Sequence, residues 1–236
     1  MFKLELLSIN PYNAEQCKHI VMSNFESNIK KKFSKWIDYD YNKVYDYYKG
    51  SDRTDTPRQL AMLSIIPCAS FYYLNYLTEI NPDRIIDIGC GMNFFKDIIP
   101  GVFGIDKDGS EIDSEGVFDD NFSAKFENQF ASAFSIDALH FIPITEFYNQ
   151  VMRFVNVIQP GGRGYIALNS ARMIDMSSIE TLLETFNTRE PTKEQITSYI
   201  DKEIRRLSIN WLVVDNLIID APDEFLDGNI RLVFKK

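Results

Sequence analysis

The chain has 236 residues, 45% of them hydrophobic and 14% aromatic, with a formal net charge of -9. That is material for one sizeable core and a small appended subdomain, which excludes disorder for most of its length. No apolar run approaches the roughly 20 residues that cross a bilayer, and Met1-Phe2-Lys3-Leu4-Glu5 lacks the apolar stretch of a secretion signal, so the expectation is a soluble, cytoplasmic protein without a membrane partner.

Cys17, Cys68 and Cys90 form no paired spacing, and His19 and His140 are the two histidines, so neither a disulfide framework nor a His/Cys metal site is indicated. Residues 1 to 80 carry 10 Lys+Arg against 9 Asp+Glu, and the remainder 15 against 25. The acidic C-terminal part disfavours a nucleic-acid partner and leaves a small-molecule substrate as the expected one. The one basic run, Lys30-Lys31-Lys32 with Lys35, has the length of a solvated helix face.

In chain order, Ile20, Phe25, Ile29, Phe33, Trp36 and Ile37 recur at helical spacing, and Leu60, Leu63, Ile66, Phe71, Leu74 and Leu77 repeat the pattern after Thr56-Pro57, a cap and first-turn proline. An aromatic link from Trp36 to Tyr48 joins these two helices. Together they predict an N-terminal helical extension or cap over residues 1–80, with the change of regime at Asn81-Pro82-Asp83.

From 81 to 236 short apolar runs alternate with turns and helical stretches, the pattern of a mostly parallel sheet flanked by helices. Strands are predicted at 84–88, 102–105, 116–118, 131–135, 164–168, 211–219 and 229–234. A short helix is expected over 92–99, a longer one from Thr145 to Val157 before the stop Pro160-Gly161-Gly162, and another from Thr192 to Leu207. The last two strands have only a turn near Asp227-Gly228 between them, so they should pair antiparallel. The expected fold is thus α/β and Rossmann-like: a mostly parallel seven-stranded sheet with a terminal antiparallel strand pair, flanked by helices, plus the N-terminal extension.

The run Arg84-Ile85-Ile86-Asp87-Ile88-Gly89-Cys90-Gly91 is an apolar strand entering a glycine turn, where missing side chains let main-chain N–H groups approach a ligand. The dinucleotide fingerprint wants a third glycine where Phe94 stands, and a phosphate loop of the Gly-x4-Gly-Lys-Ser/Thr kind fails at Phe95-Lys96-Asp97. Asp87 beside the turn repels phosphate and suits an ammonium or sulfonium. The second strand ends at Asp106, 17 residues beyond Gly89, where a carboxylate accepts hydrogen bonds from ribose hydroxyls. The plain alternative is a strand-to-helix turn with a solvated acid on the neighbouring strand.

With these residues in place, the segment from 82 to 236 resembles the class I S-adenosylmethionine-dependent methyltransferases. Ile85 to Gly91 looks like their first motif and Val102-Phe103-Gly104-Ile105-Asp106 like their second-strand acid; Ser135 to Phe141 looks like the end of their fourth strand, and Val157 to Gly162 like the turn before their fifth. The sequence departs from that pattern at Asn93, where a further glycine is common; Asn tolerates left-handed backbone. The resemblance implies that Gly89, Cys90 and Gly91, with Asp87, hold the methionine part of S-adenosylmethionine and Asp106 the ribose. It implies Asp119 or Asp120 for the adenine amino group, and the backbone of Ser135 and Ile136 near the sulfonium. S-adenosylhomocysteine would be the product. Asp119 and Asp120 are equally well explained as turn residues.

Methyl transfer from a sulfonium demands alignment more than activation. Where the acceptor needs a base, His140 is the best placed, followed by Asp137; each has an alternative, as a packed helix-start histidine and as a turn cap. Tyr39, Tyr41, Tyr45, Tyr47 and Tyr48 would either close over the site or cement the extension to the sheet. Beside a methyltransferase acting on a small molecule, glycan or lipid-like metabolite stand a non-catalytic, partner-binding protein that keeps the fold, and a nicotinamide-dependent oxidoreductase, which Phe94 opposes.

Overall fold

A computed structural model describes residues 13, 15, 16, 19, 46, 49, 84–91, 93–97, 101–107, 113–139, 141–207, 210–214 and 229–236. The chain divides into two compact units, residues 1–75 with 217–227 and residues 76–216 with 228–236. The N-terminal helices and their tyrosines, the basic run, Cys17 and Cys68, His140 and the turn at Asp227-Gly228 lie outside the described residues.

In the second unit, β1 (Ile85–Ile88), β2 (Val102–Asp106), β3 (Ser114–Glu115), β4 (Phe130–Ile136), β5 (Ile158–Asn169), β6 (Asn210–Val214) and β7 (Asn229–Lys235) form one sheet in the order β3-β2-β1-β4-β5-β7-β6. The first five are parallel, and β7 lies antiparallel between β5 and β6. All four residues of β1 are buried, as a central parallel strand covered on both faces requires. Because β1 pairs with β2 on one side and β4 on the other, the chain order reverses there, and it is at the carboxyl ends of strands at such a reversal that open α/β sheets bind ligands.

The helices are α1 (Asp120–Lys125), α2 (Phe147–Val157), α3 (Ser170–Asp175), α4 (Ile179–Phe186) and α5 (Lys193–Ile204). Phe147, Val151, Phe154 and Val155 make one apolar stripe of α2, and Ile196, Ile200 and Ile204 one of α5; both join Ile86, Ile88, Ala133, Ile166, Leu168, Ile230 and Leu232 of the sheet in a single core. Thr192 and Gln195 close a reciprocal capping box that starts α5 one residue inside its expected position.

Several expectations need correction. The third strand is Ser114–Glu115, earlier than 116–118, because Gly116 at φ 144° leaves the ladder. The helix expected over 92–99 is a single 3-10 turn, Phe94–Asp97, within the described residues. The helix ends at Val157 as expected, but the strand expected at 164–168 begins already at Ile158, so that Pro160-Gly161-Gly162 lies within it. These residues form a bulge in β5, whose register to β4 jumps from Phe130↔Ile158 to Ser132↔Arg163. A side chain at Gly162 would lie 2.6 Å from the Ala131 carbonyl, and Gly161 and Lys236 close the bulge by the Gly161 N–H bond to the Lys236 carbonyl, 2.9 Å. The short helices α1, α3 and α4 were not anticipated; Asp119, Asn169 and Ser178 cap them through side-chain oxygens.

Candidate functional site

The turn after β1 is built from three left-handed residues, Gly89 (φ 76°), Gly91 (φ 57°) and Asn93 (φ 55°). Gly89 is required twice over, since a β-carbon there would also fall 2.1 Å from that of Ala138 in the segment leaving β4. Asn93 takes the left-handed conformation that its short amide side chain tolerates, and packs where a β-carbon on Gly104 would stand.

Main-chain bonds fix this turn to the tip of β2: the N–H groups of Gly89 and Cys90 donate to the Ile105 carbonyl at 2.8 and 3.1 Å. The Gly91 N–H donates to Asp106 Oδ2 at 2.8 Å. The structure therefore brings Gly89, Cys90, Gly91 and Asp106 together at the carboxyl edge beside the β1/β4 reversal. From the other side, the Ser135 hydroxyl donates to the Ile88 carbonyl at 2.7 Å, which locks β1 to β4 and turns this buried side chain inward. Ile136 is the last residue of β4, half-buried at the same edge.

Asp87 sits beneath the turn with 3% exposure, and burial first, then the charge of Asp106, pushes its carboxyl well above the usual carboxylate range. Asp87 is enclosed, so the acid presented at the edge is the half-buried Asp106. Burial, then Asp87 and Asp106, also raises the Cys90 thiol, which keeps it protonated and unsuited as a nucleophile.

The two remaining acids differ. Asp119 follows β3 at the carboxyl edge and caps α1 by accepting from the Phe122 N–H at 2.9 Å. Asp120 is exposed and accepts from Arg153 Nε of α2 at 2.6 Å, and that bond draws its carboxyl below the usual range. No bond among the described residues ties either to the glycine turn.

One tie was not foreseen. Asp113, in the connection from β2 to β3, accepts from the Gly104 N–H at 2.9 Å and from Asn93 Nδ2 at 3.3 Å through Oδ2, and pairs with Lys96 through Oδ1. Its own N–H donates to the Gly104 carbonyl at 2.9 Å, so Asp113 completes the outer edge of β2 just below the point where β3 begins. Desolvation works against its charge, but Gly104, Lys96 and Asn93 outweigh it and hold the carboxyl below its usual range. Nothing in the acidic run from Asp106 to Glu115 distinguishes this acid by spacing.

These groups suit one kind of ligand. Bare main chain, a carboxylate at the strand tip and the absence of a cation in the turn itself fit hydroxyl groups and a positive centre, and oppose a pyrophosphate. Among the described residues no group of three or more His, Cys, Asp or Glu is placed to hold a metal, and no helix is long and apolar enough to cross a membrane.

The order β3-β2-β1-β4-β5, extended by an antiparallel β7 between β5 and β6, is a Rossmann-like arrangement. No family model and no curated protein matches the chain. Among solved structures it is similar to a SAM-dependent methyltransferase from Archaeoglobus fulgidus (11% identity, 84% of this chain and 100% of that one, TM-score 0.47). A putative S-adenosyl-L-methionine-dependent methyltransferase from Methanococcus maripaludis shares 14% identity over 84% of this chain and 93% of that one, TM-score 0.49. The geranyl diphosphate C-methyltransferase of Streptomyces coelicolor A3(2) shares 9% over 83% and 97%, TM-score 0.47. At such values the likeness is one of general arrangement.

Proposed function

We propose that this protein binds S-adenosylmethionine at the β1 turn and transfers its methyl group to a small acceptor. The observation that carries this is the 2.8 Å bond from the Gly91 N–H to Asp106, which gathers the bare turn and the β2 acid into one edge at the strand-order reversal. In this assignment Asp106 accepts from the ribose hydroxyls, the main chain of Gly89 to Gly91 borders the methionine part, and Asp87 closes the floor. Asp119 is favoured over Asp120 for the adenine amino group, since Arg153 already engages Asp120. Ser135 contributes main chain only, its hydroxyl being committed to Ile88.

Bound, the cofactor supplies a methyl group already activated on a sulfonium. The work left to the chain is to hold an acceptor in line and exclude water, with His140 or Asp137 taking a proton where the acceptor must lose one. Equilibrium dialysis with radiolabelled S-adenosylmethionine tests the binding half: retention supports the proposal, and no retention contradicts it. Retention without formation of S-adenosylhomocysteine across carboxylate, phosphate, hydroxyl and amine acceptors would favour instead a protein that keeps the cofactor fold for partner binding.

A further inference from the structure

Arg231 of β7 is 1% exposed, the bulkiest of the fully buried side chains among the described residues. A guanidinium stays charged in any folded protein and carries five N–H donors. Here Nη1 makes one long hydrogen bond, 3.4 Å to the Ile230 carbonyl, and Nε has no partner. None of the ion pairs among the described residues includes it; Lys96, Arg153, Arg172, Arg205 and Arg206 each have a carboxylate, and Arg231 has none. A buried charge without a counter-charge is among the most unfavourable arrangements a fold can contain. Among the described residues Arg231 is the fully buried cation without an acid, in a chain with nine more acids than bases, and an anion from outside would supply the missing counter-charge.

Register places this arginine. Arg231 lies opposite Ala167 of β5, and Ala167 opposite Ile136, the last residue of β4. Residues directly opposite share a face, so Arg231 occupies the carboxyl-edge row on the face of Ile136, two strands along and about 10 Å away. Next to Ile136 in the chain is a second unsatisfied group, on the far side of Ala167 from Arg231. Asp137, at φ 52°, donates its N–H to the Ala167 carbonyl at 3.1 Å and keeps Oδ1 buried without a hydrogen-bond partner. Strained backbone of this kind concentrates where a side chain is held for a ligand. An acid and a guanidinium flank the same residue without pairing to each other.

We propose that Arg231 anchors an anionic group, a carboxylate or a phosphate, of the molecule that receives the methyl group, while the unpartnered Asp137 Oδ1 accepts a hydrogen bond from a hydroxyl or amine elsewhere on that molecule. This rests on the methyl-transfer assignment above and adds the charge class of the acceptor. Guanidinium forks match both anions in a two-bond geometry.

The test titrates inorganic phosphate and, separately, acetate into the wild-type protein, Arg231→Met and Arg231→Lys, each with S-adenosylhomocysteine present. Thermal midpoint and calorimetric heat are followed. One of the two anions should raise the wild-type midpoint saturably, and which one does so separates a phosphate-bearing acceptor from a carboxylate-bearing one. Arg231→Met should match or exceed the wild-type midpoint without anion, since it removes an unpaired buried charge, and should lose roughly tenfold to a hundredfold in anion affinity. Arg231→Lys, which keeps the charge and loses the fork, should retain weakened binding. No saturable anion effect on the wild type, an effect that persists in Arg231→Met, or a fall in the anion-free midpoint of both variants would overturn the proposal. Failure of S-adenosylhomocysteine to bind while the anion effect remains removes the methyl-transfer assignment and leaves the anion site; the reverse pattern removes the anion site alone.

Discussion

The two sides of the β1/β4 reversal are held together by different forces. On the β4-β5-β7 side, α2 and α5 bury their apolar stripes against Ile166, Leu168, Ile230 and Leu232, and the connections are helices of 11 and 12 residues among others. On the β1-β2-β3 side, the described part of the first connection is one 3-10 turn, and polar bonds do the tying: Gly91 to Asp106, and Asp113 to Gly104, Asn93 and Lys96. Apolar packing is indifferent to pH and yields to a cavity. A polar staple is the opposite, and leaves main chain bare for a ligand.

That contrast can be broken most forcefully at Phe154, fully buried on α2. Phe154→Ala should cost about 3 to 5 kcal/mol in denaturant-induced unfolding, with little dependence on pH. Next, Asp106→Ala should weaken S-adenosylhomocysteine binding by about 1 to 3 kcal/mol, and should cost the fold less, about 1 kcal/mol, through the lost bond from the Gly91 N–H. A loss of fold stability with no loss of affinity would leave Asp106 a structural tie alone.

Asp113→Ala sharpens the contrast further, with an expected loss of about 1 kcal/mol at neutral pH from the bonds its carboxylate accepts from Gly104 and Asn93 and from its exposed ion pair. Its folded carboxyl is held low, so its contribution is present above the unfolded carboxylate range and disappears as pH falls through the folded value. The difference between wild type and variant should therefore shrink on acidification. Asp87 carries the opposite sign: its folded carboxyl is raised, so its contribution is full below the unfolded value and is lost as pH rises through the folded one. Asp87→Asn should accordingly gain on the wild type as pH rises, measured as the difference in unfolding midpoint across a pH series.

The same division explains what was legible in the residues. Strands that read as apolar runs, such as Ile85–Ile88 and Val102–Asp106, stand where the hydrophobic pattern puts them, and so does the stripe of α2, because burial itself selects those side chains. β3 was misplaced since two residues, pairing with Ile105 and Asp106, leave no apolar period to read. Helix α1 was hidden because its cap, Asp119, is equally a turn or ligand residue, although Phe122 and Phe126 stand one helical turn apart and their rings lie 4.5 Å from each other. For α4, Ser178 followed by Ile179, Leu182, Leu183 and Phe186 did carry a cap and helical spacing. In the site, the glycine turn and Asp106 were legible because their chemistry is local. Asp113 and Arg231 were not, since no motif marks either and each is placed only by strand pairing, Asp113 beside Gly104 and Arg231 opposite Ala167.

Calorimetric titration of S-adenosylhomocysteine into the wild-type protein, Asp106→Asn and Asp106→Ala tests the central claim most directly. The expected result is one-to-one binding to the wild type that weakens in both variants while their unfolding midpoints stay near that of the wild type. Absence of binding heat in the wild type at several temperatures, or undiminished affinity in both variants, would contradict it.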